Sequence, residues 1–157
     1  MKKIKWPTHP VIMASIAFCF NEKEELLLVK QKDRDFWSPP SGEVEKNESP
    51  EETAIRETKE EINLGIRVIK TLKPTIRWQN EYENAIVVLF NFLCEIEGGE
   101  IKHMETHEPQ YDVTAHKWIS LNNISKNKIE IAQNILDLIG ELKDNLRHFK
   151  NGRFTET

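Results

Sequence analysis

The chain has 157 residues, 38% of them hydrophobic and 31% charged, with a formal net charge of −4. That length suits one domain spanning 1–157, with a core over about 10–149 and frayed ends. The acidic balance excludes a general binder of nucleic-acid polymers or of anionic membranes. Cys19 and Cys94 both lie in apolar runs and read as buried free thiols, not as a disulfide or a metal pair. The basic start, Met1-Lys2-Lys3, is not followed by an adequate apolar segment and cleavage site, and Val11 to Phe20 is too short to span a bilayer, so a cytoplasmic location is expected.

In chain order, Val11 to Phe20 reads as a strand with Ile12, Ile16, Phe18 and Phe20 as its large residues. After the polar turn Asn21-Glu22-Lys23-Glu24, Leu26 to Val29 is a second strand, expected to pair with the first as a hairpin. A rigid approach, Trp37-Ser38-Pro39-Pro40-Ser41-Gly42, leads to a helix. Ser49 is a favoured N-cap, Pro50 fits the first helical position, and Glu52 completes a capping box. Ala54, Ile55, Thr58 and Ile62 form the expected apolar face, and Asn63 or Gly65 closes the helix. Ile66 to Leu72 and Thr75 to Trp78 are strands interrupted at Pro74. Asn84 to Glu95 is apolar enough to run through the sheet centre. After the turn Glu97 to Glu100, Lys102 to Gln110 is a polar loop and Val113 to Ile119 a final strand. Ile129 to Phe149, with Ile131, Ile135, Leu138, Leu142 and Leu146 at helical spacing, is an amphipathic helix; Asn151 to Thr157 is expected to fray. This order of elements predicts an α+β fold, an α/β/α sandwich with a mixed sheet between two helices.

The segment Gly42 to Leu64 carries the chemistry. In Arg56-Glu57-Thr58-Lys59-Glu60-Glu61, three carboxylates stand at i, i+3 and i+4 on one helix face, where like charges repel. Such a cluster suits a hard divalent cation, Mg²⁺ or Mn²⁺, and a Ser41-Gly42 turn would bring a backbone carbonyl toward the same ion. The plain alternative is a solvated acidic face.

These residues resemble the Nudix box: Gly, five residues, Glu, seven residues, then Arg-Glu-U-x-Glu-Glu-x-Gly-U, with U a bulky apolar residue. Gly42, Glu48, Arg56, Glu57, Glu60, Glu61 and Leu64 fall on their places. Thr58 stands at an apolar position and Asn63 replaces the last glycine, where Asn is the next most tolerant residue. The resemblance implies a Mg²⁺-dependent hydrolase acting on a nucleoside diphosphate linked to another group. The substrate would be a nucleoside or deoxynucleoside triphosphate, oxidised forms included, or a small nucleotide derivative. It implies Glu57 and Glu61 as principal metal ligands, with Glu60 and the Ser41 carbonyl as further ones. Arg56 would pair with Glu48 to fix the loop against the helix. The general base is either a box glutamate or a distal carboxylate, Glu105 or Glu108. A homodimer follows from family habit alone.

Outside the box, Trp37, Trp78 and Tyr82 are candidates to stack on a base, and Arg34, Arg77 and Lys32 to meet a phosphate, each against an ordinary packing or surface role. His103, His107 and His116 are not at zinc spacing. Two other functions compete with the enzyme: a Nudix-fold module that binds a nucleotide without turning it over, and an interaction protein with only an acidic helix.

Overall fold

The computed structural model describes residues 9–79, 85–124 and 130–155. Asn84, Ile129 and Tyr82, named above, lie outside them. The main sheet has five strands: β1 (Val11–Cys19), β3 (Ser41–Glu43), β4 (Gly65–Thr71), β5 (Thr75–Gln79) and β6 (Ala85–Gly98). Its path runs β3-β1-β6-β4, and β5 also pairs with β6. The sheet is mixed, because β1 and β6 are parallel while the other pairs are antiparallel. β6 is central, as its apolar run predicts. It spans both β4 and β5 because the chain leaves the sheet at Leu72-Lys73-Pro74, where proline could not donate to the ladder.

The expected hairpin of the first two strands does not form. β2 (Glu25–Gln31) pairs with β7 (Val113–Ser120) in a separate two-stranded antiparallel sheet, and an isolated bridge joins Phe20, just past β1, to Leu26. The reason is that both edges of β1 are occupied, by β3 and by β6, so the chain turns at Asn21 and starts a new layer. Ser41-Gly42 is likewise strand, not turn.

α1 (Pro50–Ile62) and α2 (Gln133–Leu146) cover opposite faces. Period-two alternation sorts the strand residues. Ile16, Phe18, Leu26, Leu28, Leu89 and Leu93 pack with Ile135, Leu138 and Leu142 of α2. Ala17, Cys19, Leu27, Val29, Phe92 and Cys94 pack with Ala54 and Ile62 of α1. The two cysteines are buried, free and paired in register across β1 and β6. On α1, Ile55 is exposed, contrary to expectation, while Thr58 is fully buried and donates its hydroxyl to the Ala54 carbonyl at 2.8 Å. That internal bond explains how a polar residue fills an apolar place.

α2 is shorter than its apolar periodicity suggests, and residues 149–154 beyond it form strands where fraying was expected from Asn151 on. β8 (Phe149–Lys150) and β9 (Arg153–Phe154) form a hairpin across Asn151 and Gly152, both with positive φ. Among the described residues, no helix is long and apolar enough to cross a membrane.

Candidate active site

The helix that bears the carboxylates is set by local chemistry. Ser49 Oγ accepts the Glu52 N–H at 3.1 Å and the Glu52 carboxylate accepts the Ser49 N–H at 3.4 Å, so the capping box is complete. At the other end Asn63 adopts a left-handed conformation (φ 63°). Its side chain donates to the Glu100 carbonyl at 3.0 Å. Gly99 faces it so closely that a Cβ there would sit 2.3 Å from the Asn63 carbonyl oxygen.

α1 then lies unusually close to β3. A Cβ on Gly42 would fall 2.1 Å from Cδ of Glu57. Only glycine permits that approach, and it lays the Glu57 carboxyl group against the β3 backbone. The intervening loop is fastened by Arg56. Its Nε and Nη2 meet the two oxygens of Glu48 at 2.6 and 2.9 Å, a bidentate pair. Nη2 also reaches the Glu43 carbonyl at 3.3 Å, and Nη1 meets Glu57 at 2.9 Å and Glu60 at 3.2 Å. One guanidinium thus ties strand, loop and helix together. Glu48 accepts further bonds from Thr53 Oγ1 and the Glu45 N–H. The bond from Arg56 leads these in holding its carboxyl at about 2, against the opposing effect of burial.

Glu61 is different. It is 3% exposed, and its Oε1 accepts from Nε2 of Gln31 at 3.0 Å, while its Oε2 is buried without a hydrogen-bond partner among the described residues. Burial pushes its pKa well up, the neighbouring Glu57 adds to this, and Arg34 and Gln31 oppose it. Burial also raises Glu57, with Arg56 opposing. These two neighbouring carboxyl groups, both with raised pKa, mark the box as a candidate functional centre. Glu60 is not part of the pair: its side chain is 55% exposed and bonded to Arg56. Among the described residues, no three Asp, Glu, His or Cys side chains converge as a ready cation cage. The available donors are Glu57 and Glu61, with buried Ser41 next to Gly42.

Gln31 was not among the residues singled out from the sequence. A lone glutamine after the apolar run Leu26 to Val29 carries little local signal. The clue available was period two: Gln31 shares a strand face with Leu27 and Val29, both buried against α1.

The remaining candidates divide between two places. Arg77 is half-buried, with Nη2 buried and unpartnered among the described residues, and it lines a cavity of about 300 Å³ with Phe36, Glu130, Ile131, Ala132 and Gln133. Burial draws its pKa down, while Asp137 opposes and Arg34 adds to the shift. Arg34 stacks over the Phe36 ring at 5.4 Å. Its charge acts on both Glu61 and Arg77. Trp37 is tied to the strand-like approach to α2 through its N–H to Glu130 and the Ala132 N–H to its carbonyl, and Lys117 covers its ring at 4.2 Å. Trp78, by contrast, is 61% exposed on the other face of β5 from Arg77, in an edge contact with His9 at 5.6 Å. Lys32 is exposed.

The loop before β7 borders the carboxylates. Met104 N–H donates to the Glu61 carbonyl at 3.1 Å, and Lys102 N–H to that of Ile62 at 3.0 Å. Glu105, His107 and Glu108 are exposed on this loop. His103 Nε2 lies 2.8 Å from Nδ1 of His116, joining loop to strand.

This arrangement can be set beside known proteins. The family model described as the NUDIX domain matches residues 10–139. A Caenorhabditis elegans protein named among the nudix hydrolases is 30% identical over 121 residues, covering 74% of this chain but only 30% of its own length. The chain therefore spans under a third of that relative. The dihydroneopterin triphosphate diphosphatase of Haemophilus influenzae is 29% identical over 125 residues, covering 72% of this chain and 79% of that one. Among solved structures, the MutT protein of Methanosarcina mazei Go1 superimposes with a TM-score of 0.72 at 20% identity, covering 88% of this chain and 97% of that one, a likeness of fold. With the family model spanning most of the residues that build the sheet, the helices and the carboxylate pair, the chain belongs to the Nudix hydrolase family.

Proposed function

We propose that this Nudix hydrolase cleaves a phosphoanhydride bond in a nucleoside diphosphate linked to another group. The substrates that fit are a nucleoside or deoxynucleoside triphosphate, oxidised forms included, or a small nucleotide derivative. The observation that carries the reading is buried Glu61 beside half-buried Glu57, with one Glu61 oxygen lacking a hydrogen-bond partner among the described residues. A buried carboxylate without a counter-charge is costly, and a cation offsets that cost. The donor set fits Mg²⁺ or Mn²⁺, because it is all oxygen, without thiolate or imidazole. In this reading Glu57 and Glu61 hold the cation with the Ser41 carbonyl, and Glu60 joins them directly or through water. Bound there, the cation would neutralise phosphate oxygens and lower the pKa of a bound water.

The chain's own residues do the rest. Arg56 and Glu48 hold the loop and helix in fixed relation, so that the carboxyl groups keep their place when phosphate arrives. Arg34 lies along the phosphates, and Arg77, whose Nη2 has no hydrogen-bond partner among the described residues, meets anionic charge within the cavity. Phe36 lines that cavity and offers a ring face to the remaining group. Trp37 supports this wall, while Trp78 faces away from it. A base is required to activate water; the box carboxyl groups and the loop residues Glu105 and Glu108 are the candidates.

The test is a phosphate-release screen over nucleoside triphosphates, ADP-ribose, nucleotide sugars and dinucleoside polyphosphates, with dihydroneopterin triphosphate added because of the Haemophilus relative's name. It is run with Mg²⁺ and with chelator, on the wild type and Glu61→Gln. Metal-dependent turnover lost in the variant supports the enzyme. Thermal stabilisation by one nucleotide with no turnover anywhere would replace it with the binding module.

A further inference from the structure

β2 ends on a residue that its neighbours do not explain. Leu27 and Val29 on the same face are packed into the core beneath α1, and the next position on that face is Gln31, only 4% exposed. An amide at such a place costs stability unless its groups are bonded. Half of them are: Nε2 donates to Glu61 Oε1 at 3.0 Å. The amide's Oε1 is not, and among the described residues both it and the neighbouring Glu61 Oε2 are buried acceptors without donors. The register of β2 against β7 shifts between Lys30 and Gln31, a bulge at this residue. Bulges re-aim side chains next to functional sites.

We propose that Gln31 is a positioning residue for Glu61, its amide N–H holding one carboxyl oxygen so that the other is left for the divalent cation. The inference rests on the reading above that Glu61 holds such a cation. Gln31 touches Glu61, not substrate, and acts through it. Partners of this kind, bonded to a metal-holding side chain, set its orientation, and their removal weakens metal affinity by about 10- to 100-fold. A glutamine that merely satisfied a buried carboxyl group would change stability alone.

The experiment measures Mn²⁺ affinity by electron paramagnetic resonance on purified wild type, Gln31→Met and Glu61→Gln, with folding checked by circular dichroism and kcat and KM measured in parallel. Gln31→Met keeps the length of the side chain and removes the N–H. The expected result is Mn²⁺ affinity about 10-fold weaker, with kcat lowered and KM for the nucleotide unchanged. Should Gln31→Met not fold, Gln31→Asn, which keeps the amide but shortens the arm, carries the same expectation. A folded Gln31 variant that binds Mn²⁺ within twofold of wild type overturns the proposal while leaving the cation reading intact. If wild type and Glu61→Gln bind Mn²⁺ equally, the cation reading falls and the role of Gln31 with it.

Discussion

Two glutamates of this molecule are shielded almost completely from solvent and treated in opposite ways. Glu95, 1% exposed on β6, is surrounded by donors: Arg67, Arg153 and the N–H of Phe154 all bond to it. Burial pushes its pKa up, but those three donors outweigh burial and the net shift is downward. Glu61, 3% exposed on α1, has one amide donor, a carboxyl neighbour and an unpartnered oxygen, and its net shift is upward. The contrast separates structure from function. Where the chain wants a buried charge for architecture, here to moor the β8–β9 hairpin to the sheet, it supplies the counter-charges itself. Where it leaves a carboxyl group incomplete, as at Glu61, the proposed cation would supply the missing partner.

The contrast can be broken or sharpened by experiment. Glu61→Gln should give the largest effect: kcat lower by roughly 10³-fold in Mg²⁺, corresponding to about 4 kcal/mol of transition-state stabilisation. The same variant should melt higher than wild type in chelator at pH 8, because a neutral amide no longer has to be ionised within the fold. A lower melting temperature there would contradict the account of Glu61. Next, Arg56→Ala should cost about 3 kcal/mol in urea unfolding and depress kcat as well, since it frees the loop and uncovers Glu48 and Glu57 together.

Glu95→Gln supplies the opposite pole. It should cost about 1–2 kcal/mol of stability through weakened bonds to Arg67 and Arg153, with kcat and KM unchanged. A change in kcat would show that the hairpin communicates with the site.

The pH dependence of stability should be the smallest and most graded effect. Glu61, whose folded pKa is raised, contributes stability at low pH that is lost as pH rises above the ordinary value of 4.5. Glu48, held at about 2, contributes stability above 4.5 that is lost as pH falls toward 2. In chelator the melting temperature should therefore peak in mildly acidic solution and decline toward pH 8. Mg²⁺ should remove the alkaline decline, as should Glu61→Gln. A flat alkaline limb in wild type with chelator would remove the distinction between the two buried glutamates.

The parts of this architecture that were legible in the sequence are those written by neighbours in the chain. Ser49, Pro50 and Glu52 announce the start of α1 within four residues, and the spacing from Gly42 to Leu64 carries the box; the family resemblance implied the Arg56–Glu48 pairing, and the structure has it. The apolar run of β6 placed it at the sheet centre. What was missed depends on distant partners. The turn at Asn21 looks like a hairpin turn, and only the occupation of both edges of β1 by β3 and β6 sends β2 elsewhere. Gln31 takes its meaning from a residue on α1 that no local pattern connects to it. The C-terminal hairpin did carry a local signal, Asn151-Gly152, a pair favoured in two-residue hairpin turns, which went unread.

Because β1 runs parallel to β6, its hydrogen-bonding partners are made long after it, Val11 against Ile86 and Cys19 against Cys94. During synthesis the first strand must wait, with one ladder edge open, while α1 needs little more than its own cap to begin winding. Closing so long a loop costs entropy before any contact is gained, so assembly of the sheet centre is the slow event in refolding. In pulsed hydrogen exchange the amides of α1 should then gain protection before those of β1. The helix that bears the carboxylates would be formed early and seated last.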